Sequence, residues 1–395
     1  MAADPGKSTL FIILPRIPYP LEKGDKLRAY HQVRELSRYF NLVICALSDR
    51  KPHPEAMGAL QPYAEKVYFM RLSRILILLR LVGALFTSYP FQTAYFFSKR
   101  IKKKIGRLVQ LHQPDHLFCQ LIRTAPYAKN LPVRKTIDYQ DAFSAGLKRR
   151  LQGSPWYMRL LINTEYKRVQ RFETKVFDWF DNKTIISFSD RELLPLKHKT
   201  DVVVVPNGVD IVYFKPTLSE KQFDIVFTGN MGYPPNVRCA EFLVQHIMPL
   251  VWKERPETTV VIAGAYPSQG VRALASDKVT VTGWVADIRP YYNQSRVFLA
   301  PMQIGTGLQN KVLEAMAMKL PCITSDLANQ AINASEGSSV LIGRNTIEYA
   351  QHVLSLLRNP ELAQVIGNNG HDFVSQSFNW ESTTAILRKV ICSQV

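Results

Sequence analysis

The stretch "IGTGLQNKVLEAMAMKLPCITS", residues 304–325, decides how this chain is read. Before it stands the apolar run Val297–Phe298–Leu299–Ala300, closed by Pro301, as expected of a buried strand. Gly305, Thr306 and Gly307 follow, and Val312, Leu313, Met316 and Ala317 then recur at helical spacing. A strand, a glycine turn and a helix in that order leave unpaired N–H groups and a partial positive charge at the helix start. Glycine lets a ligand approach the backbone closely. Lys311 adds a cation suited to a diphosphate. Glu314, one turn after Asn310, can accept hydrogen bonds from a ribose diol. The same residues also fit a plain glycine-rich turn with a solvated lysine and glutamate, so the rest of the chain must separate the two.

Working outward, the strand–turn–helix pattern repeats. "FDIVFTG" (223–229), "TTVVIAG" (258–264) and "KVTVTG" (278–283) read as strands ending in glycine, and "VRCAEFLVQHIMPLVWKE" (237–254) as a helix. Upstream, "STLFIILP" (8–15) and "NLVICALSD" (41–49) read as strands around a helix over 26–40, with further strands at 66–70, 116–119, 135–138, 184–188 and 201–205. The long helix 156–181 precedes the Pro-Asn-Gly turn of "VVVVPNGVD" (202–210) and the polar stretch 215–222. Two α/β domains with doubly wound parallel sheets are the expectation, with a ligand cleft at the carboxyl ends of their strands.

The 395 residues carry a net charge of +18, and the excess is segregated. Residues 1–200 hold 35 Lys and Arg against 16 Asp and Glu, a net of +19, whereas residues 201–395 net −1. Such a surface attracts nucleic acid, anionic lipid or an acidic substrate. No helix-turn-helix, OB or RNP pattern accompanies it, so nucleic acid is not the expected partner. In "SKRIKKKIGRLVQ" (98–110), Arg100, Lys103, Lys104 and Arg107 share one helical face, with Ile101, Ile105 and Leu108 on another. This basic amphipathic helix is read as lying on an anionic membrane, an ordinary surface helix being the alternative. The five scattered cysteines fit a reducing compartment, no apolar run of spanning length exists, and the start lacks a signal-peptide core. His31, His246 and His371 lack metal-ligand spacing, and Glu173 in "RFETKVF" reads as an ion-pair member.

"GLQNKVLEAMAMKLPCITS" resembles the donor-binding signature of family 4 retaining glycosyltransferases of GT-B fold. "VVVVPNGVDIVYF" is similar to that family's interdomain segment. "IVFTGNMGYPPNVRCAEFL" and "VTVTGWVADIRPYYNQSRVFLAP" resemble turns of its second Rossmann-like domain. The resemblance covers residues 200–390, and the whole is most like bacterial sugar transferases of exopolysaccharide clusters. It implies an α/β GT-B fold with two Rossmann-like domains across a cleft. The implied division is an acceptor-binding domain at 1–205, a linker at 206–222 and a donor-binding domain at 223–375. A C-terminal helix at 376–395 would return to the first domain.

By the same resemblance, Glu314 matches the second glutamate of the family's E-x7-E motif, which holds the ribose. Thr306 stands where the first glutamate would fall, so the Gly305–Gly307 amides and the Thr306 hydroxyl are candidates for reading the donor sugar. Lys311 takes a diphosphate role. Gly229 and Asn230 occupy the turn where the family's Arg and Lys usually stand, and Val285 the turn that meets the nucleobase, with Tyr233 or Trp284 as stacking candidates. In the first domain, "YPLEKGDKLRAY" matches the loop after the first strand. There Gly24 and Asp25 open a helix towards donor phosphate or acceptor, Asp25 serving equally as an N-cap. Asp138 and Asp141 end a strand near the reacting sugar, as a base or charge stabiliser, or else as a cap and a surface acid.

The expected activity is transfer of a sugar, with retention, from a nucleotide-diphosphate donor to a lipid-linked or cell-envelope saccharide. The enzyme would be cytoplasmic and peripheral on the inner membrane face, with no required cofactor and Mg2+ compatible. The missing D-x-D speaks against the metal-dependent GT-A class. A sugar-nucleotide epimerase of the same architecture and a catalytically silent nucleotide-sugar-binding subunit are the alternatives.

Overall fold

The computed structural model describes residues 4–152, 154–304 and 307–393. Its contacts divide the chain into two units, Met1–Pro206 with Thr383–Val395, and Asn207–Ser382.

The first unit is built on a seven-stranded parallel sheet in the order β3-β2-β1-β4-β5-β6-β7. The strands are β1 (Thr9–Leu14), β2 (Asn41–Ser48), β3 (Lys66–Arg71), β4 (His116–Gln120), β5 (Arg134–Asp138), β6 (Asn182–Ile185) and β7 (Val202–Val204). Helices α1 (Gly24–Leu36), α2 (Arg74–Leu85), α3 (Lys99–His112), α4 (Phe143–Gln152) and α5 (Trp156–Phe177) cover its faces. Because side chains alternate along a strand, β1 feeds two cores. Phe11 and Ile13 join Val43 and Cys45 on one face, while Leu10 and Ile12 join Leu42 and Ile44 on the other. Both faces are covered, which is why β1 and β2 read as unbroken apolar runs. Register aligns Leu10 with Leu42 and with His116, so β1 lies between β2 and β4. That is the switch point where an open parallel sheet offers a crevice at its carboxyl edge.

The second unit repeats the plan with six parallel strands in the order β10-β9-β8-β11-β12-β13. These are β8 (Phe223–Thr228), β9 (Val260–Ala263), β10 (Val279–Val281), β11 (Ser295–Ala300), β12 (Cys322–Thr324) and β13 (Leu341–Ile342). Its switch point falls between β8 and β11, flanked by α6 (Pro234–Phe242) and α7 (Asn310–Ala317). Residues 237–254 are not one continuous α-helix. After α6 the chain widens into a five-residue π turn, Leu243–Ile247, before Met248–Glu254 resumes. Pro249 has no N–H to donate back, and the wider turn absorbs that loss. Leu387 and Ile391 of α8 (Trp380–Cys392) pack in the first unit with Leu10 and Leu42, and Asn182 Nδ2 donates to Val390 O at 2.7 Å.

Three further sequence expectations change on folding. Helix α1 begins at Gly24 with Lys23 at its N-cap and no side-chain cap, so Asp25 is not the cap; it pairs with Arg16 from the first turn. Helix α3 turns Ile101, Ile105, Leu108 and Val109 into the core, so only its cationic face is open. Among the described residues Glu173 has no ion-pair partner. It is fully buried and accepts from Ser144 N at 3.1 Å, at the start of α4.

Candidate functional site

At the carboxyl edge of the second sheet, β8 is followed directly by Gly229, with φ +151°. A Cβ there would stand 2.7 Å from Asn236 Nδ2 and 3.4 Å from Lys311 Cε, so only glycine fits between α6 and the start of α7. Gly264 closes on the same point, since a Cβ on it would fall 1.8 Å from Gly229 O. The Gly229 turn is fixed by Asn236 Nδ2 donating to Asn230 O at 3.0 Å and by Gly232 N donating to Asn230 Oδ1 at 2.9 Å. Lys311 projects from the first turn of α7, half-buried, with Nζ 2.8 Å from Gln309 Oε1. Desolvation lowers its pKa from the ordinary lysine value. No side chain caps α7, and its positive N-terminal end lies at the root of the Lys311 side chain, with Val312 N donating to Gln309 O at 2.9 Å.

Glu314 stands one turn on. Tyr292, fully buried, donates to Glu314 Oε2 at 3.0 Å and lies 2.7 Å from Thr228 Oγ1. With Glu314 ionised, the phenol hydrogen is committed to it and the Thr228 hydroxyl donates to Tyr292. Desolvation raises the Glu314 carboxyl, while Tyr292 and Lys311 pull it back. Beside this edge lies a cavity of about 440 Å³, lined among others by Tyr266, Arg272, Gly283 and Trp284. The rings of Tyr266 and Trp284 are largely exposed, as a stacking platform requires.

In the first unit the carboxyl ends of β1, β4 and β5 gather a second constellation. Arg28 Nε donates to Asp138 Oδ2 at 2.7 Å and Nη2 to Val205 O at 2.9 Å, with both side chains of the ion pair fully buried. The other Asp138 oxygen accepts from Gln140 N at 3.2 Å and Thr184 Oγ1 at 3.1 Å. Asp141 stays in contact with solvent. Desolvation and the neighbouring carboxylates Asp190 and Asp138 raise its pKa, a shift that its solvent contact moderates. Arg123 lies between the rings of Phe143 and Phe96, at 4.8 and 5.3 Å from their centroids, and its Nε donates to Gln92 Oε1 at 3.1 Å. Burial, then the neighbouring Arg16, pushes its pKa down to about 10. Gln120 Nε2 donates to Asp25 O at 2.9 Å and ties the β4 end to α1.

The chain matches the family of group 1 glycosyl transferases over residues 222–359. The second unit is a group 1 glycosyl transferase domain. Among relatives, a 44.6 kDa protein of the cps region of Klebsiella pneumoniae is 19% identical over 391 residues, 94% of this chain and 96% of that one. The UDP-Gal:alpha-D-GlcNAc-diphosphoundecaprenol alpha-1,3-galactosyltransferase of Escherichia coli is 22% identical over 58% of this chain and 67% of its own. Among solved structures, Anabaena HepE in complex with UDP-glucose superposes with a TM-score of 0.68 at 12% identity, covering 98% of this chain and all of that one. The glycosyltransferase has the GT-B fold, with two Rossmann-like parallel sheets.

Within this glycosyltransferase, folding brings Gly229, Lys311 and Glu314 to one edge, although more than 80 residues separate the first from the others. Asn230 works through its backbone and side chain to shape the Gly229 turn. Asn310 Oδ1 accepts from Asn207 Nδ2 at 3.2 Å, so the Pro-Asn-Gly turn occupies its side chain. Gly307 has φ +97°, and its carbonyl accepts from Gln309 Nε2 at 3.2 Å; Gly305 and Thr306 lie outside the described residues. Val285 directly follows Gly283 and Trp284, two residues of the cavity wall. Tyr233 is exposed at the start of α6 and is not among the lining residues, whereas Tyr266 is.

In the first unit Gly24 and Asp25 open α1, and Asp138 is engaged on both oxygens, whereas Asp141 is exposed. Arg100, Lys103, Lys104 and Arg107 form the exposed face of α3. Sequence reasoning missed Tyr292, Arg123 and Tyr266. Tyr292 carried one usable signal, since a tyrosine in the short helical segment leading into a strand, once fully buried, must find a partner for its hydroxyl.

Proposed function

We propose that the chain transfers a sugar from a nucleotide-diphosphate donor to a lipid-linked or cell-envelope saccharide, with retention of anomeric configuration, in polysaccharide biosynthesis. The juxtaposition of Lys311 and Glu314 with the Gly229 turn at the start of α7 carries this reading. An ammonium beside uncapped helix N–H groups suits a diphosphate leaving group, and a carboxylate oriented by a buried tyrosine suits a ribose diol. The names of the relatives support the acceptor class, since the Escherichia coli protein is named for a diphosphoundecaprenol acceptor. The solved complexes of Anabaena HepE with UDP-glucose support a nucleotide-sugar donor.

In this reading the anomeric carbon's bond to the diphosphate breaks and a bond to the acceptor oxygen forms on the same face. The acceptor proton passes to an oxygen of the departing diphosphate. Lys311 and the α7 N–H groups stabilise the charge that develops there. In the first unit Asp141, with its raised carboxyl and open solvent contact, is the candidate to orient the acceptor hydroxyl, and Asp138 holds β5 to α1. The reading calls for no tightly bound metal and is compatible with Mg2+ carried by the nucleotide. Among the described residues no helix is long and apolar enough to cross a membrane. The enzyme is read as cytoplasmic, working at the inner membrane face, with nucleic acid not among its partners.

Lys311→Ala tests the site. Loss of a charged hydrogen bond of about 2 kcal/mol should raise the dissociation constant for nucleoside diphosphate by roughly thirtyfold, with Lys311→Arg recovering part. Unchanged affinity in Lys311→Ala would remove the assignment.

A further inference from the structure

The basic helix α3 lends the first unit charge, but its apolar face is consumed by the core. The uncovered apolar surface lies elsewhere. On α2, Ile75 is 75% exposed, Leu78 65% and Leu79 62%, and Phe86 just past its end is 86% exposed; only Ile77 and Ala84 of the helix are buried. Positions 75, 78, 79, 82 and 86 share one helical face. The first turns of α5 also expose apolar side chains, Trp156, 82% exposed, with Tyr157, Leu160 and Leu161, and Leu85 and Phe86 share a pocket wall with Thr164, one turn further along α5. The two helices adjoin: Arg168 of α5 donates to Ala84 O at 2.9 Å and Leu85 O at 3.3 Å. Water-facing surfaces seldom carry so many large apolar side chains together unless something covers them.

Charge identifies the cover. The sequence holds no Asp or Glu between Glu65 and Asp115, nor between Asp141 and Glu165, which takes in α2, α3, α4 and the first turns of α5. Arg74, Lys148, Arg149, Arg150 and Arg159 are exposed on those helices. A second copy pressed on the same face would oppose these cations with cations, a mismatch that disfavours a self-complementary interface. An anionic bilayer meets the apolar stripe with its acyl boundary and the cations with its headgroups. At twelve residues α2 is about 18 Å long, too short to span the hydrocarbon layer and suited to lying in its plane.

We propose that α2 and the first turns of α5 form a wedge that seats in the interfacial layer of an anionic membrane, with Trp156 and Tyr157 at the headgroup level. Its purpose rests on the lipid-linked acceptor proposed above, but its test measures binding alone. The full-length chain should float with vesicles of phosphatidylcholine containing phosphatidylglycerol and weakly or not at all with phosphatidylcholine. Leu78→Ser with Leu79→Ser should lower that partitioning roughly tenfold or more while leaving nucleoside diphosphate affinity unchanged. In a Trp284→Phe background, anionic vesicles should blue-shift the emission, and Trp156→Phe should remove the shift. Full binding by the double serine variant, with loss only on neutralising Arg100, Lys103, Lys104 and Arg107, would overturn the wedge. So would a wild-type dimer that ignores vesicles and that the serine variant dissociates. If the wild type transfers sugar yet ignores vesicles, the wedge fails and the enzyme reading stands. If it binds as described yet transfers nothing, the reverse holds.

Discussion

Tyr292 donates its only hydroxyl hydrogen to Glu314 across 3.0 Å, from a side chain with no solvent exposure. The bond holds a carboxylate whose pKa burial already raises. Tyr292→Phe removes the donor and leaves Glu314 and Thr228 each short of a partner. We expect a loss of about 1 kcal/mol in stability and a several-fold loss in nucleoside diphosphate affinity. Glu314 must be ionised to accept both ribose hydroxyls, so affinity should fall as pH drops through its pKa. Without Tyr292 that fall should move to higher pH. Calorimetric titrations of both proteins across acid pH check this, and superimposable profiles would contradict it.

Gly229 is irreplaceable on two counts, its φ of +151° and the 2.7 Å approach of Asn236 Nδ2 to where a Cβ would go. Gly229→Ala should destabilise the second unit by about 2 kcal/mol through backbone strain and by displacing Asn236 from Asn230 O. Thermal unfolding should show its midpoint lowered by roughly 4–8 °C. Since Lys311 Cε also borders the site, nucleoside diphosphate affinity should drop in the fraction that remains folded.

Local pattern made the sheets legible, and long-range pairing hid much of the site. The strand read at 8–15 is Thr9–Leu14, and the one at 223–229 is Phe223–Thr228, because burial on both faces leaves an unbroken apolar signature. Gly229 and Lys311 stood out since glycine after a strand and lysine in a first helical turn are local signals. Arg28–Asp138 could not stand out, as 110 residues separate the partners. Periodicity showed that α3 has two faces but not which one the core would cover. The apolar stripe of α2 gave no periodic contrast, because its residues 74–85 are apolar nearly all round. Glu173 looked like an ion-pair member among basic neighbours, yet its helix turns it inward, away from them.

Arg28 and Asp138 are both fully buried, and each neutralises the other. Arg28→Met leaves an uncompensated carboxylate in the first unit and should cost about 3–5 kcal/mol. Arg28→Met with Asp138→Asn removes both charges and should recover a sizeable part. Urea unfolding of wild type, both single variants and the double variant closes the cycle. A double variant no more stable than Arg28→Met would show that the charge pair is not the source of the loss.

His116 and Glu173 set opposing pH dependences within the first unit. Burial lowers the His116 imidazole, 5% exposed and 2.8 Å from Thr136 Oγ1, to about 4 from an ordinary 6.5. The unfolded chain therefore takes up this proton first, so stability is present above pH 6.5 and is lost as pH falls towards 4. Burial raises the Glu173 carboxyl to about 7 from an ordinary 4.5. The unfolded chain releases that proton first, so its contribution is complete below pH 4.5 and is lost as pH rises towards 7. Each shift corresponds to about 3 kcal/mol, and between pH 4.5 and 6.5 the two slopes oppose each other. Glu173→Gln should thus be more stable than wild type near pH 8, and its stability should fall as pH drops. His116→Gln should hold its stability in acid and lose it with rising pH. Unfolding midpoints from about pH 4 to about pH 8 separate the three proteins. Parallel curves for wild type and both variants would mean that neither group titrates differently in the folded chain.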